Sequence, residues 1–182
     1  MILRSFLFVP GDSERKQAKA VDSHADALLL DLEDSVAAPQ LPAARQRVRE
    51  LLTARSDRSK QQLWVRVNAL SSGLLLEDLV AVFPGAPDGL VLPKVVTPAD
   101  ITEVGHYLTA LEAREGRAPG ATKLLIIATE TPQAVLNLNS YLPHERILGL
   151  TWGSEDLSAA MGVTRKLYQQ GALTFTFQMA RS

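Results

Sequence analysis

The sequence predicts an α/β fold of the TIM-type (β/α)8 barrel class, with about six βα units present in the chain. Three observations predict it. Strand-length apolar runs recur, several of them nearly continuous, as strands buried on both faces should be. Helix-start signals fall between the runs, which indicates parallel strands joined by helices. Polar residues gather at the carboxyl ends of at least five successive runs, and a barrel brings those ends to one mouth.

The elements follow in order. SFLFV (5–9) runs into a Pro-Gly-Asp turn, after which Ser13 to Val21 reads as a helix. ALLLDL (27–32) is followed directly by Glu33 and Asp34. Pro42 then opens a helix, AARQRVRELLTAR, whose Val48, Leu51 and Leu52 form its apolar face. LWVRV (63–67) carries Arg66 at its end with Asn68 beyond, and Leu74 to Phe83 is the next helix. GLVL (89–92) leads into Pro93-Lys94. Thr97-Pro98-Ala99-Asp100 combines a capping residue with a proline at the first helical position, and Thr131-Pro132 repeats the device after LLIIA (124–128) and Glu130. ILGLT (147–151) leads to Gly153, and Ser154-Glu155-Asp156 reads as a further helix start. No composition shift divides residues 1–182, so one domain is expected. A closed barrel needs eight strands and typically about 250 residues. The six runs therefore predict a barrel truncated before strands seven and eight, or one completed by oligomerisation. QGALTFTFQ (170–178) reads as a connection, and Gln178 to Ser182 as the opening of the helix that would lead to strand seven.

Composition narrows the function. The 182 residues are 46% hydrophobic and 21% charged, with a formal net charge of −1. So balanced a chain exerts no long-range pull on nucleic acid or an anionic membrane, and any anion site must be local. The absence of cysteine excludes disulfides, thiolate metal sites and a Cys nucleophile, and fits a cytoplasmic protein. No run approaches the roughly 18–20 apolar residues of a membrane span, and the first apolar stretch is too short for a signal peptide. Neither GxGxxG nor GxxxxGK[ST] nor GxSxG occurs, so the nucleotide-fold and nucleophile-elbow alternatives lack their fingerprints.

Glu130 and Asp156 stand after consecutive strands, on neighbouring positions of the expected mouth. They read either as ligands of a hard cation such as Mg²⁺, which prefers oxygen and keeps several waters, or as solvated loop and cap residues. Arg66 offers a planar fork of donors for a substrate carboxylate. Arg15 and Lys19 share a helix face and read either as a phosphate-binding pair or as a solvated basic face; Arg45 and Arg47 invite the same reading. Lys94 reads as an ion-pair partner of Glu33 or Asp34, a Schiff-base nucleophile, or a rim charge. His24, His106 and His144 show no metal spacing. Trp64 and Trp152 read as barrel packing.

RSFLFVPGDSERKQAKA, ADALLLDLEDSVAAP, LWVRVNAL, DGLVLPKV, ATETPQAVLNL and LGLTWGSEDLSAAMG, in this order, resemble the citrate lyase β-subunit-like branch of the HpcH/HpaI aldolase family. The resemblance runs from residue 3 to about 165. It implies a TIM barrel, usually a homotrimer or hexamer, that makes or breaks a carbon–carbon bond in a 3-hydroxyacyl thioester, with citryl, malyl or citramalyl groups on coenzyme A or an acyl carrier. It places Glu130 and Asp156 on the Mg²⁺ ligands and Arg66 on the arginine that meets the substrate's carboxyl or carbonyl oxygen. Phe8, Arg15 and Lys19, with Arg45, fall on positions that line the carrier's nucleotide and phosphate site, and Glu33 and Asp34 on an acidic pair at the mouth. The expected chemistry is retro-Claisen cleavage, with Arg66 and backbone N–H groups near Gly153 stabilising the enolate. Rival readings are a metal-dependent aldolase on free 2-oxo-acid aldols, a Schiff-base aldolase using Lys94, and a non-catalytic thioester-binding scaffold.

Overall fold

Alternation along each strand sorts its side chains onto two faces, and both faces of this sheet are apolar. The computed structural model describes residues 3–182. β1 (Phe6–Pro10), β2 (Ala27–Asp31), β3 (Gln62–Arg66), β4 (Gly89–Leu92), β5 (Lys123–Ile127) and β6 (Ile147–Thr151) form one sheet in that order. Every neighbouring pair is parallel. The crossovers run through α1 (Glu14–Val21), α2 (Leu41–Ala54), α3 (Leu75–Val82), α4 (Pro98–Arg114) and the short α5 (Pro132–Leu136), with α6 (Glu155–Met161) and α7 (Phe175–Arg181) following β6. Among the described residues β1 and β6 each pair on one side only, so the sheet is open.

The face towards the helices forms the larger core. Leu28, Leu30, Leu63, Val65, Leu90, Leu92, Leu124 and Ile126 are buried there against helix residues such as Val48, Leu52, Leu79, Val82, Ile101, Val104 and Leu108. On the opposite face Ala27, Leu29, Trp64, Val91 and Ile127 form a second cluster spanning β2 to β5. Side chains three strands apart meet on one face when the sheet curls, and this is the interior of the barrel. Trp64 fills that interior because Gly89 opposite it has no side chain: a Cβ there would lie 2.3 Å from the indole ring. Trp152 departs from the packing expected of it. It is 37% exposed, with the Arg181 guanidinium 5.9 Å from its ring.

Helix starts obey the capping chemistry of their sequences. Thr97 and Asp100 form a reciprocal capping box on α4, and the Thr131 hydroxyl accepts the Ala134 N–H at 3.1 Å on α5. α7 begins three residues before Gln178, so Phe175 and Phe177 belong to helix and not to the connection. The carboxyl ends of β2 to β6 consequently present Asp31, Arg66, Lys94, Glu130 and Asp156 on one rim.

Candidate active site

Asp31, the last residue of β2, is buried, and an unpaired carboxylate could not stay ionised there. Its partner is Arg66, directly opposite it in register at the end of β3. Arg66 Nε donates to Asp31 Oδ1 and Nη2 to Oδ2, each at 2.7 Å. Burial alone would raise the Asp31 pKa, but the hydrogen bonds and charge of Arg66 outweigh it and hold the carboxyl below its ordinary range. The Arg66 guanidinium also lies 4.9 Å from the Phe8 ring, which stacks it from the β1 side. Asp31 was not among the expected site residues: within ALLLDL it reads as strand. Its signal was an ionisable side chain inside a run that buries everything else.

Glu33 follows, and it is shared. Its Oε1 pairs with Lys94 Nζ, and its Oε2 sits 2.9 Å from Arg66 Nη1 in an alignment that makes no hydrogen bond. Burial pushes its pKa up, and the two cations offset this only in part. Lys94 Nζ also meets Asp34 Oδ1 at 3.1 Å and Asp156 Oδ1 at 3.6 Å. Glu33 and Asp34 overcome its partial burial and raise its pKa, so the amine stays protonated, which disfavours a Schiff-base role. The ion-pair reading of Lys94 is the one its geometry supports.

Glu130 is 3% exposed, just beyond β5. Its Oε2 accepts the Lys94 backbone N–H at 2.5 Å. Burial, together with the negative charges of Glu33 and Asp156, pushes its pKa up to about 8 despite that hydrogen bond. The Asp156 carboxylate, on the first turn of α6, lies within hydrogen-bonding reach of it. Gly153 leaves room for the Glu130 side chain. A Cβ there would come 2.8 Å from Glu130 Cγ and 3.3 Å from its Oε1. The Gly153 N–H, expected as an enolate donor, instead donates to the Thr129 hydroxyl at 3.0 Å, which fixes the β6–α6 turn against β5.

Two carboxylates forced together, with the buried Glu33 Oε2 left without a hydrogen bond, are a donor set that suits a hard divalent cation. Among the described residues no group of three or more His, Cys, Asp or Glu side chains converges as a metal cage, so water and substrate would complete the shell around Glu130 and Asp156. The remaining expected residues divide. Phe8 and Lys19 line one groove of about 260 Å³ between β1 and α1, together with Lys16. Arg15 is exposed and lies outside that lining. Arg45 is 8% exposed, with its guanidinium held by Asp78, Glu77 and the Leu74 carbonyl. That α2–α3 tie accounts for its burial. Arg47 pairs with Glu14 at 3.3 Å.

The model of the HpcH/HpaI aldolase/citrate lyase family matches residues 4–181. Citrate lyase subunit beta of Escherichia coli (strain K12) is 38% identical over 155 residues, covering 84% of this chain and 50% of the relative. A (3S)-malyl-CoA thioesterase of Cereibacter sphaeroides (strain KD131) is 31% identical over 159 residues, 87% of this chain and 51% of that one. Among solved structures, CitE of Mycobacterium tuberculosis in complex with magnesium and acetoacetate superposes with a TM-score of 0.78 at 28% identity, covering 98% of this chain and 66% of that chain. The chain spans about half the length of the curated relatives it matches.

Proposed function

The chain belongs to the HpcH/HpaI aldolase/citrate lyase family, and from that premise we propose that it serves a magnesium-dependent carbon–carbon lyase acting on a 3-hydroxyacyl thioester of the citryl, malyl or citramalyl class. The observation that carries the reading is the convergence of Glu130 and Asp156, with Glu130 packed against the bare backbone of Gly153, on the rim that also presents Arg66. The magnesium found with the M. tuberculosis relative supports the same assignment.

Glu130 and Asp156 would hold Mg²⁺, which when bound polarises the substrate's oxygens and lowers the pKa of its hydroxyl. Arg66 keeps Nη protons that Asp31 does not take, and these meet the substrate's carboxyl or carbonyl oxygen. In cleavage the bond between the hydroxyl-bearing carbon and the thioester α-carbon breaks. The hydroxyl gives up its proton and becomes a carbonyl, and the electron pair leaves as the thioester enolate, which is then protonated. A guanidinium locked by Asp31 faces the developing charge without having to reorganise. Phe8 and Lys19, with Arg15 one turn earlier on the same helix, would receive the carrier's nucleotide and phosphates.

The test is a panel of citryl, malyl and citramalyl thioesters, on coenzyme A and on carrier protein, assayed on the native protein with and without Mg²⁺. Cleavage of at least one, abolished by a chelator and restored by Mg²⁺, is expected. Chelator-insensitive turnover with a borohydride-stable adduct on Lys94 would replace this reading with Schiff-base chemistry; thioester binding without turnover would make the protein a scaffold. Arg15→Ala with Lys19→Ala should raise the apparent KM for a coenzyme A thioester while hardly changing activity on a short thioester lacking the nucleotide.

A further inference from the structure

Asp31, Glu33, Asp34, Glu130 and Asp156 crowd one rim, and among the described residues Arg66 and Lys94 are the cations that pair with them there. Arg66 is committed to the β2 side by its bidentate bond to Asp31. Lys94 is the one cation of the two that reaches the Asp156 side. Its backbone explains how: Lys94 has φ +54°, a left-handed conformation unusual for a side-chain-bearing residue. From that backbone the N–H points at Glu130 while the side chain crosses to Glu33, Asp34 and Asp156. The three side-chain contacts are unequal. Asp156 is the furthest of them, at 3.6 Å, and is itself one-third exposed.

Building on the metal assignment above, we propose that the Lys94 ammonium is a resident counter-cation that competes with the divalent metal for Asp156. Without metal it neutralises Asp156 together with Glu33 and Asp34. When the metal binds, Asp156 passes to it, and the ammonium keeps the two nearer carboxylates. The weakest of its three contacts is the one given up, so the exchange needs no backbone movement. Lys94 thereby sets the metal affinity of the site downwards, and it keeps the like charges from repelling one another before metal arrives.

The experiment is calorimetric titration of the metal-free native protein with Mg²⁺, comparing Lys94→Met, Lys94→Gly and Lys94→Arg, alongside thermal melts with and without metal. Met removes the charge and keeps the left-handed strain. Gly removes both and keeps the N–H to Glu130. Met and Gly should each bind Mg²⁺ about threefold or more tightly than wild type, and each should gain more in Tm on adding Mg²⁺ than wild type does. Arg should stay near the wild-type affinity. Unchanged or weaker binding by Met overturns the proposal, and so does tightening by Gly alone, which would trace the effect to backbone strain. Should Met not fold, Lys94→Gln takes its place, since it too removes the charge and keeps the left-handed strain: tightening by Gln and Gly with Arg at the wild-type value supports the competition, and any other pattern rejects it. Wild-type protein that binds no Mg²⁺, with Glu130→Gln indistinguishable from it, would overturn the metal assignment itself.

Discussion

Asp31 and Gly153 govern the site without either needing to touch a substrate. Asp31 holds both forks of Arg66 in a buried pair, and breaking such a pair by removing one charge typically costs about 3–5 kcal/mol. Asp31→Asn, which keeps the shape and loses the charge, should therefore lower the unfolding free energy by about 3 kcal/mol in a urea titration. It should also depress turnover, because Arg66 loses its fixed orientation. An unchanged urea midpoint would remove Asp31 from this role. Gly153→Ala forces a methyl group to within 2.8 Å of Glu130 Cγ, and the carboxylate must swing away from Asp156. Mg²⁺ affinity should fall at least about tenfold with a nearly unchanged far-ultraviolet circular dichroism spectrum; wild-type affinity would show that the approach of the two carboxylates is not what the metal requires. Glu130 and Asp156 could be found in the sequence because each follows an apolar run. The pairing of Asp31 with Arg66 and the Thr129–Gly153 bond could not, because each depends on which residue lies across from it.

Strand and helix order was legible nearly throughout, since burial on both faces leaves long apolar runs and Thr-Pro pairs mark helix starts. What escaped notice was how elements are tied sideways. Arg146, at the entry to β6, is buried against Glu112 of α4, donating from Nη1 and Nη2 at 2.9 and 3.0 Å. Glu112 also accepts the N–H groups of Gly120 and Thr122 at 2.8 and 2.7 Å. No spacing rule joins residues 112 and 146, and neither stands in an apolar run that would draw attention to it. Burial would raise the Glu112 pKa, but Arg146 and the two N–H groups reverse this and bring it down to about 2. The folded value lies below the ordinary one, so the stabilisation is complete above about pH 4.5 and is lost as pH falls towards 2. Denaturant unfolding measured across that window should show stability falling with acid, and Glu112→Gln should flatten the slope while lowering stability at pH 7. A variant with the wild-type acid slope would show that other carboxylates dominate it. Arg45 is a second such tie: its bond to Asp78 on the neighbouring helix joins α2 to α3, and no spacing rule joins residues 45 and 78.

Across the whole molecule, the open sheet leaves β1 and β6 as edges, and each carries exposed apolar side chains, among them Leu7 and Phe8 on the one and Leu148 on the other. Unpaired edges with apolar neighbours favour association. The chain of residues 1–182 prepared alone should therefore self-associate in light-scattering measurements, and Leu7→Lys with Leu148→Lys should reduce that association; a monomer at all concentrations would contradict it. The strand order has a further consequence, for how the molecule is made. Every strand pairs with the one translated immediately before it: Phe6 with Ala27, Ala27 with Gln62, Trp64 with Gly89, Gly89 with Lys123, Leu124 with Ile147. Synthesis proceeds at about 5–20 residues per second, leaving seconds between successive strands, far longer than local pairing needs. The nascent sheet can thus grow from β1 towards β6 while still on the ribosome, each of these strands meeting its predecessor as soon as it emerges.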